Sequence, residues 1–529
     1  MTRLEARRGF ASQAWIVVAG SLAAIAILVL LLWQPGSKGP RGGELVLYCA
    51  AGLLKPVEEI CADYEEEFGV QVRIEPGGSG TLLSKLRVTP TAADLYLAAE
   101  ESYLREARRH GLVAEILPAA KQHLVIAVAK GNPQAISDTA DLVREPRTVV
   151  LPNPELAAVG KVAQRALAGT GQWEELLARS QQASAKVSLV GTVNEAAQAV
   201  RIGAADAAIV WDATARQFGL EIVEAPSLGE KTTEQVCVGI VAASPRPTQA
   251  LHFARYLTAR DRGQAAFQRH YLQPLADADV WEDRPSLVLM SGAMLKPAID
   301  ELVKRFSQRE GVSINTIYAG CGIHVAQMKA MKQGEKLPIH FPDAYFSCDV
   351  SFMKMVEQWF EASKVISRND MVLAVPKGNP KQVRSIKDLA HPELRVGLAH
   401  PVNSALGALT DELVKKLGLH EKIYASTRKH PVVHADAGHV LVNQMRAGAL
   451  DLIVVYRSNV LSHSDNPDQF LEIVEMNLPE AIAIQPYAVA KDSPHKHLMG
   501  RLLEAILSPE SERRFREVGF QWIADKDNP

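Results

Sequence analysis

At 529 residues the chain is too long for one ordinary hydrophobic core and predicts several domains. Its composition is globular, 47% hydrophobic and 22% charged, and a formal net charge of -2 gives no electrostatic case for nucleic acid as a partner. Five cysteines without close pairs make no disulfide framework, and Cys49, Cys61 and Cys237 read as small buried hydrophobes.

Residues 15–33 form a run without charge, rich in Ile, Val, Leu and Ala, with Trp15 and Trp33 at its ends. At ~1.5 Å per residue it spans about 28 Å, close to the hydrocarbon thickness of a bilayer, and the two tryptophans suit the interfacial belt. Arg3, Arg7 and Arg8 precede it, and Lys38 and Arg41 follow. No small-x-small cleavage site or lipoprotein cysteine follows the run. The expectation is a single-pass signal anchor in the cell membrane, with a cleaved signal peptide as the alternative. Residues 1–14 are then a cytoplasmic tail too short for a signalling domain, 34–43 a Gly/Pro/Lys linker, and the bulk of the chain lies outside the cytoplasm.

The stretch Leu45-Val46-Leu47-Tyr48-Cys49-Ala50-Ala51-Gly52-Leu53 is an apolar run that breaks into small residues before a helical pattern. It returns 242 residues later as Leu287-Val288-Leu289-Met290-Ser291-Gly292-Ala293-Met294-Leu295. Val57, Ile60, Cys61, Tyr64 and Phe68 mark a helix face that Ile299, Leu302, Val303 and Phe306 repeat. Pro76-Gly77-Gly78-Ser79-Gly80-Thr81 answers to Tyr318-Ala319-Gly320-Cys321-Gly322-Ile323. Further along, Asp94-Leu95-Tyr96 answers to Asp343-Ala344-Tyr345, and Lys130-Gly131-Asn132-Pro133 to Lys377-Gly378-Asn379-Pro380. Ordered matches at a slowly drifting offset mark a tandem duplication, with one domain over 44–283 and another over 284–529.

Within each half, strand runs alternate with amphipathic helices, which predicts an α/β fold with largely parallel sheets in two lobes and a cleft between them. Ligands of open α/β sheets sit beyond the carboxyl ends of strands, where the small-residue turns fall. Backbone N–H groups at such helix starts are open to an anion, so Ala51, Gly52, Gly80 and Thr81 are candidate ligand contacts, with hydroxyls from Ser79 or Thr81. No nucleophile–base arrangement, paired acids at a shared turn or phosphate-loop lysine appears, and the acidic pairs Glu58-Glu59 and Glu65-Glu66-Glu67 fall on a helix's solvent face, so an enzyme is not expected, and no cofactor is implied.

These residues resemble the type II periplasmic substrate-binding proteins, in their molybdate/tungstate-binding branch. The resemblance rests on the strand-Ala-Ala-Gly-Leu opening, the Gly-Gly-Ser-Gly-Thr loop, Asp94-Leu95-Tyr96-Leu97-Ala98-Ala99-Glu100, and Phe267-Gln268-Arg269-His270-Tyr271-Leu272. It covers each half over nearly its full length, and implies capture of a tetrahedral oxyanion between two hinged lobes for delivery to an ABC permease. The family's ligand positions fall on Gly52, Ser79, Val159, Val193 and Trp211, and in the second half on Met294, Cys321, Leu406, Gly438 and Tyr456. Gly52 lacks the family's hydroxyl, and Trp211 replaces its tyrosine. A sensor or structural ectodomain that keeps the fold is the alternative of a different class.

Eleven of the fifteen histidines lie after residue 300. Cys321 replaces Ser79, Cys348 replaces Ala99 and His400 replaces Asn153, while His434, Asp436 and His439 occupy the loop aligned with Val193. Thiolate and imidazole suit zinc or copper. The second cleft is therefore expected to hold a soft metal on Cys321, Cys348, His400, His434 and His439, or a Cys321–Cys348 disulfide, with a diverged copy bearing surface histidines as the plain alternative.

Overall fold

The computed structural model of the protein describes residues 43–524, apart from 145, 183–185 and 462–469. The run expected to cross a membrane, 15–33, lies outside the described residues. Among the described residues no helix is long and apolar enough to cross a membrane.

The first repeat opens on β1 (Leu45–Ala50), buried at all six positions because it lies inside a sheet covered on both faces. The strands that follow are β2 (Val72–Gly77), β3 (Leu95–Ala98), β4 (Val113–Gln122), β5 (Leu124–Val128), β6 (Val149–Pro152), β7 (Val187–Val190), β8 (Ala207–Trp211), β9 (Glu221–Val223) and β10 (Glu234–Val241). They form two five-stranded sheets, ordered β2-β1-β3-β10-β4 and β7-β6-β8-β5-β9. The chain crosses from one lobe to the other between β4 and β5 and returns between β9 and β10. These crossing strands run antiparallel to their neighbours β3 and β8, so the sheets are mixed rather than largely parallel. Helices follow the parallel strands, and the first of them, Leu54–Phe68, stops at Gly69 in the left-handed region (φ 67°), where its N–H caps Glu65.

The second repeat has the same order: β11 (Ser286–Gly292), β12 (Ser313–Ala319), β13 (Ala344–Phe346), β14 (Lys364–Pro376), β15 (Val396–Ala399), β16 (Val433–Ala435), β17 (Leu452–Tyr456), β18 (Leu471–Val474), β19 (Ile482–Val489) and β20 (Gln521–Trp522). Its helix Lys296–Glu310 stops at Gly311 (φ 69°) as its counterpart does. One difference is topological. β14 runs unbroken through both lobes, so ten strands join in a single sheet, whereas the first repeat breaks the equivalent strand at His123. At that break the His123 N–H donates to Asp212 Oδ1 (3.1 Å), and the Asp212 N–H donates back to the His123 carbonyl (2.9 Å). Burial, the largest influence on Asp212, raises its carboxyl above the ordinary value. The aligned pair is Asp370 on β14 and Arg457, which opens the helix after β17, 3.5 Å apart.

The repeats meet through their first lobes. Glu310 accepts two bonds from Arg501, 2.7 and 3.0 Å, while Arg255 approaches its carboxylate at 3.5 Å and donates to its carbonyl. All three are buried: Glu310 at 2%, Arg501 at 5% and Arg255 at 7% exposure. Asp279 accepts from the N–H groups of His497 and Leu498, and Val280 donates to Pro494. The helices involved, Pro247–Thr258, Lys296–Glu310 and Lys496–Ile506, all pack on first-lobe strands.

Candidate functional site

The first cleft gathers four helix starts. The turn Ala51–Leu53 leads into Leu54–Phe68, Ser79–Val88 follows β2, Ala158–Leu167 follows β6, and Val193–Arg201 follows β7. Two come from each lobe, and each begins at the carboxyl end of a parallel strand, so their first-turn N–H groups have no intrahelical acceptor. They enclose a void of about 20 Å³ to which Ala51, Gly52, Ser79, Val159 and Val193 contribute, with Trp211 and Ala99 as walls. None of the lining side chains is ionisable. Trp211 is 1% exposed, and its indole can only donate. The Ser79 Oγ accepts from the Ala99 N–H at 3.3 Å, which leaves its own proton for a ligand. The Ser79 carbonyl, in turn, accepts from the Tyr96 hydroxyl at 2.7 Å.

The lobes are shut on one another. The Leu156 carbonyl, in the second lobe, accepts from the N–H groups of Gly80 (2.9 Å) and Thr81 (3.3 Å) across the cleft. Both amides, expected from sequence to face an anion, are thus used to close the cleft, and Thr81 is exposed outside the void. From the other side Asn194 donates through Nδ2 to the Ala51 carbonyl at 2.8 Å. The walls come near at two glycines. A Cβ on Gly52 would stand 2.9 Å from Val193 Cγ1 and 3.2 Å from Thr214 Oγ1, and one on Gly80 would be driven into the Glu155 carbonyl. Thr214 Oγ1 and Asn194 Oδ1 are buried with no hydrogen-bond partner among the described residues. Sequence reading missed Leu156, Asn194 and Thr214. A carbonyl acceptor leaves no sequence signal, but Asn194 and Thr214 are polar residues beside the expected contacts Val193 and Trp211.

The second cleft departs in the way its residues do. Cys321 and Cys348 are joined as a disulfide, with Cα atoms 6.3 Å apart, inside the usual range. The metal reading is corrected on this point, because the two sulfurs are spent on each other. The histidines do not gather around them either. His400 and His434 rings lie 5.9 Å apart, His434 stacks on Tyr424, and His439 lines a separate groove with Lys296 and Tyr318. Partial burial, and then His400, depress the His434 imidazole below its ordinary value. Among the described residues no three His, Cys, Asp or Glu side chains could hold a metal ion. Met294 is buried at Gly52's position. Tyr456 is 3% exposed with its hydroxyl unpartnered among the described residues, and burial, then Asp349, push that hydroxyl well above its ordinary pKa.

The chain matches the bacterial extracellular solute-binding proteins over residues 45–273 and again over 287–521. A binding protein of Haemophilus influenzae is 28% identical over 211 residues, 40% of this chain and 83% of its own. The molybdate-binding protein of Mycobacterium bovis is 24% identical over 242 residues, 44% of this chain and 84% of its own. Among solved structures, the periplasmic molybdate-binding protein of Azotobacter vinelandii is similar at 18% identity and a TM-score of 0.37, over 43% of this chain and 98% of its own.

Proposed function

The chain belongs to the bacterial extracellular solute-binding proteins, as a tandem of two such domains, and on that premise we propose that its first cleft captures a tetrahedral oxyanion, molybdate or tungstate, for an ABC permease. Members of this family bind solutes and are not enzymes. The observation that carries the ligand reading is the meeting of four helix starts on a void of about 20 Å³ without an ionisable side chain. Each helix start carries roughly half a positive charge, so four together offset about the two negative charges of such an anion without any counter-ion. Organic ligands occupy pockets of about 300–1,000 Å³, far beyond this void. Ser79 adds a hydroxyl donor, and Ala51, Gly52, Val159 and Val193 let the backbone approach. Gly80 and Thr81 hold the lobes shut, and Trp211 serves as a wall. Closure would then be the form that the permease reads. The run 15–33 is read as the anchor that keeps the receptor at the outer face of the membrane beside that permease.

Calorimetry of residues 43–529 with molybdate, tungstate, sulfate and phosphate tests the ligand. Binding of none of the four would sink the oxyanion reading. The anchor is tested separately by mass spectrometry of the N-terminus of the membrane fraction; a mature chain beginning near residue 40 would refute it.

A further inference from the structure

The second repeat carries the same four helix starts as the first, yet a disulfide joins the two residues that answer to Ser79 and Ala99 on the wall of the first void. We propose that the second cleft is a further oxyanion site, closed by the Cys321–Cys348 disulfide and opened by its reduction. This rests on the oxyanion reading of the first cleft.

The helices concerned begin at the turn Ala293–Leu295, at Cys321, at Ala405 and at Gly438. Cys321 takes the place of Ser79 and Cys348 that of Ala99, at 0% and 5% exposure. The Cys348 N–H donates to Cys321 Sγ at 3.0 Å, as the Ala99 N–H donates to Ser79 Oγ. Gly292 stands where the first repeat has Ala50, and a Cβ there would be driven into Cys348 Sγ, so the backbone at this strand end is shaped around the sulfur. Met294 adds an unbranched thioether, a side chain that repacks readily.

Tyr456 supplies an independent observation that points to a ligand. Its counterpart Trp211 lines the first void, and its own hydroxyl is buried without an acceptor among the described residues. Asn459 Oδ1 accepts the Tyr456 N–H at 3.2 Å and lies against Gly438, which ties the tyrosine to one of the helix starts. A buried hydroxyl with nothing to donate to is destabilising, and a bound oxyanion would remove that cost.

Opening is thiol–disulfide exchange with a small dithiol. One thiolate attacks a disulfide sulfur, the Cys321–Cys348 bond breaks to give a mixed disulfide and one free cysteine, and the second thiol of the reagent then displaces the other cysteine. Two cysteine thiols and the oxidised reagent result. Cys321 Sγ–H is left as a donor in the place of the Ser79 hydroxyl. Gly320 and Gly322 abut the carbonyls of Asn403 and Val402, so the reagent reaches the bond only when the lobes part.

The test is the number of molybdate ions bound per full chain, by calorimetry, before and after dithiothreitol, with a thiol count in denaturant to verify reduction. The count should rise from the three free cysteines to all five. One equivalent is expected in the oxidised chain and two in the reduced one. A Cys321→Ser, Cys348→Ala double variant, which rebuilds the serine–alanine pair of the first repeat, should bind two without reductant. Adding Tyr456→Phe to it should weaken the second equivalent about tenfold or more and leave the first unchanged. One equivalent in both the reduced chain and the double variant overturns the proposal while the first-cleft reading stands, and so do two equivalents in the oxidised chain. No binding in any state removes the first-cleft reading and this proposal with it. If the double variant does not fold, the reduced wild type decides.

Discussion

Gly80→Ala separates closure of the first cleft from stability of the fold. Gly80 lies in the first turn of the helix Ser79–Val88, so an alanine there favours the helix by roughly 0.5–1 kcal/mol over glycine. Its Cβ, however, points at the Glu155 carbonyl of the opposite lobe and lies 3.2 Å from the Leu156 oxygen. Restoring an ordinary contact needs the lobes to part by about 1 Å, which stretches the 2.9 Å bond from Gly80 and the 3.3 Å bond from Thr81 beyond hydrogen-bond reach. Each such bond contributes about 1 kcal/mol net, so the closed form loses roughly 2 kcal/mol. If capture depends on closure, that loss appears in full as about a thirtyfold higher Kd. Calorimetry with molybdate reads the affinity, and urea unfolding of the unliganded protein reads the fold. A folded variant whose Kd lies within threefold of wild type would refute the coupling of these cross-cleft bonds to ligand capture.

Gly52→Leu should abolish measurable molybdate binding in the first cleft, because the side chain would fill the void from the turn itself; unchanged affinity by calorimetry would remove that turn from the site. Asn194→Ala deletes the bond to the Ala51 carbonyl and should raise the Kd about fivefold, read the same way. Glu310→Gln leaves Arg255 and Arg501 buried without a countercharge and should cost about 3 kcal/mol in urea unfolding at pH 7. The pH dependence follows from the carboxyl's environment. Burial alone would raise the Glu310 pKa, but Arg501 and then Arg255 hold it below the ordinary 4.5. The stabilisation is therefore present above pH 4.5 and lost as pH falls through the lower folded value, so wild type and variant should converge in acid. A constant difference down to pH 3 would show that the charge is not its source.

Much of this molecule can be read from its residues, and the rest has physical reasons for staying hidden. The turn at Ala50 to Leu53 is legible because a buried strand must be apolar throughout and a close-packed helix start must be small. Both demands show at Leu45, and the copy at Leu287 repeats the apolar run while placing Ser291 in the strand and Met294 at the helix start. Ser79, Val159 and Val193 could be placed from the family resemblance, and the structure brings them to one void. The roles of Gly80 and Thr81 could not be read. A helix-start amide looks the same in sequence whether it meets an anion or a carbonyl from across a cleft, and here that carbonyl belongs to Leu156. Cys321 and Cys348 illustrate a second limit. Counting thiols and imidazoles by loop cannot tell two sulfurs that face each other from two that face a metal. The direction of β4, β5, β9 and β10 was hidden for a third reason, since an apolar run does not record which way its neighbour travels.

The uninterrupted course of β14 bears on how fast each repeat can move. In the first repeat the two lobes are joined by separate strands with His123 between them, so rotation needs only a few backbone dihedrals to change. In the second, opening must bend a thirteen-residue strand whose two ends are laddered into different lobes. A ladder resists bending through every hydrogen bond it carries, so the second repeat is the stiffer spring. Two domains of common descent would then breathe on different timescales: a compliant jaw that samples its surroundings often, and a slow one that parts rarely.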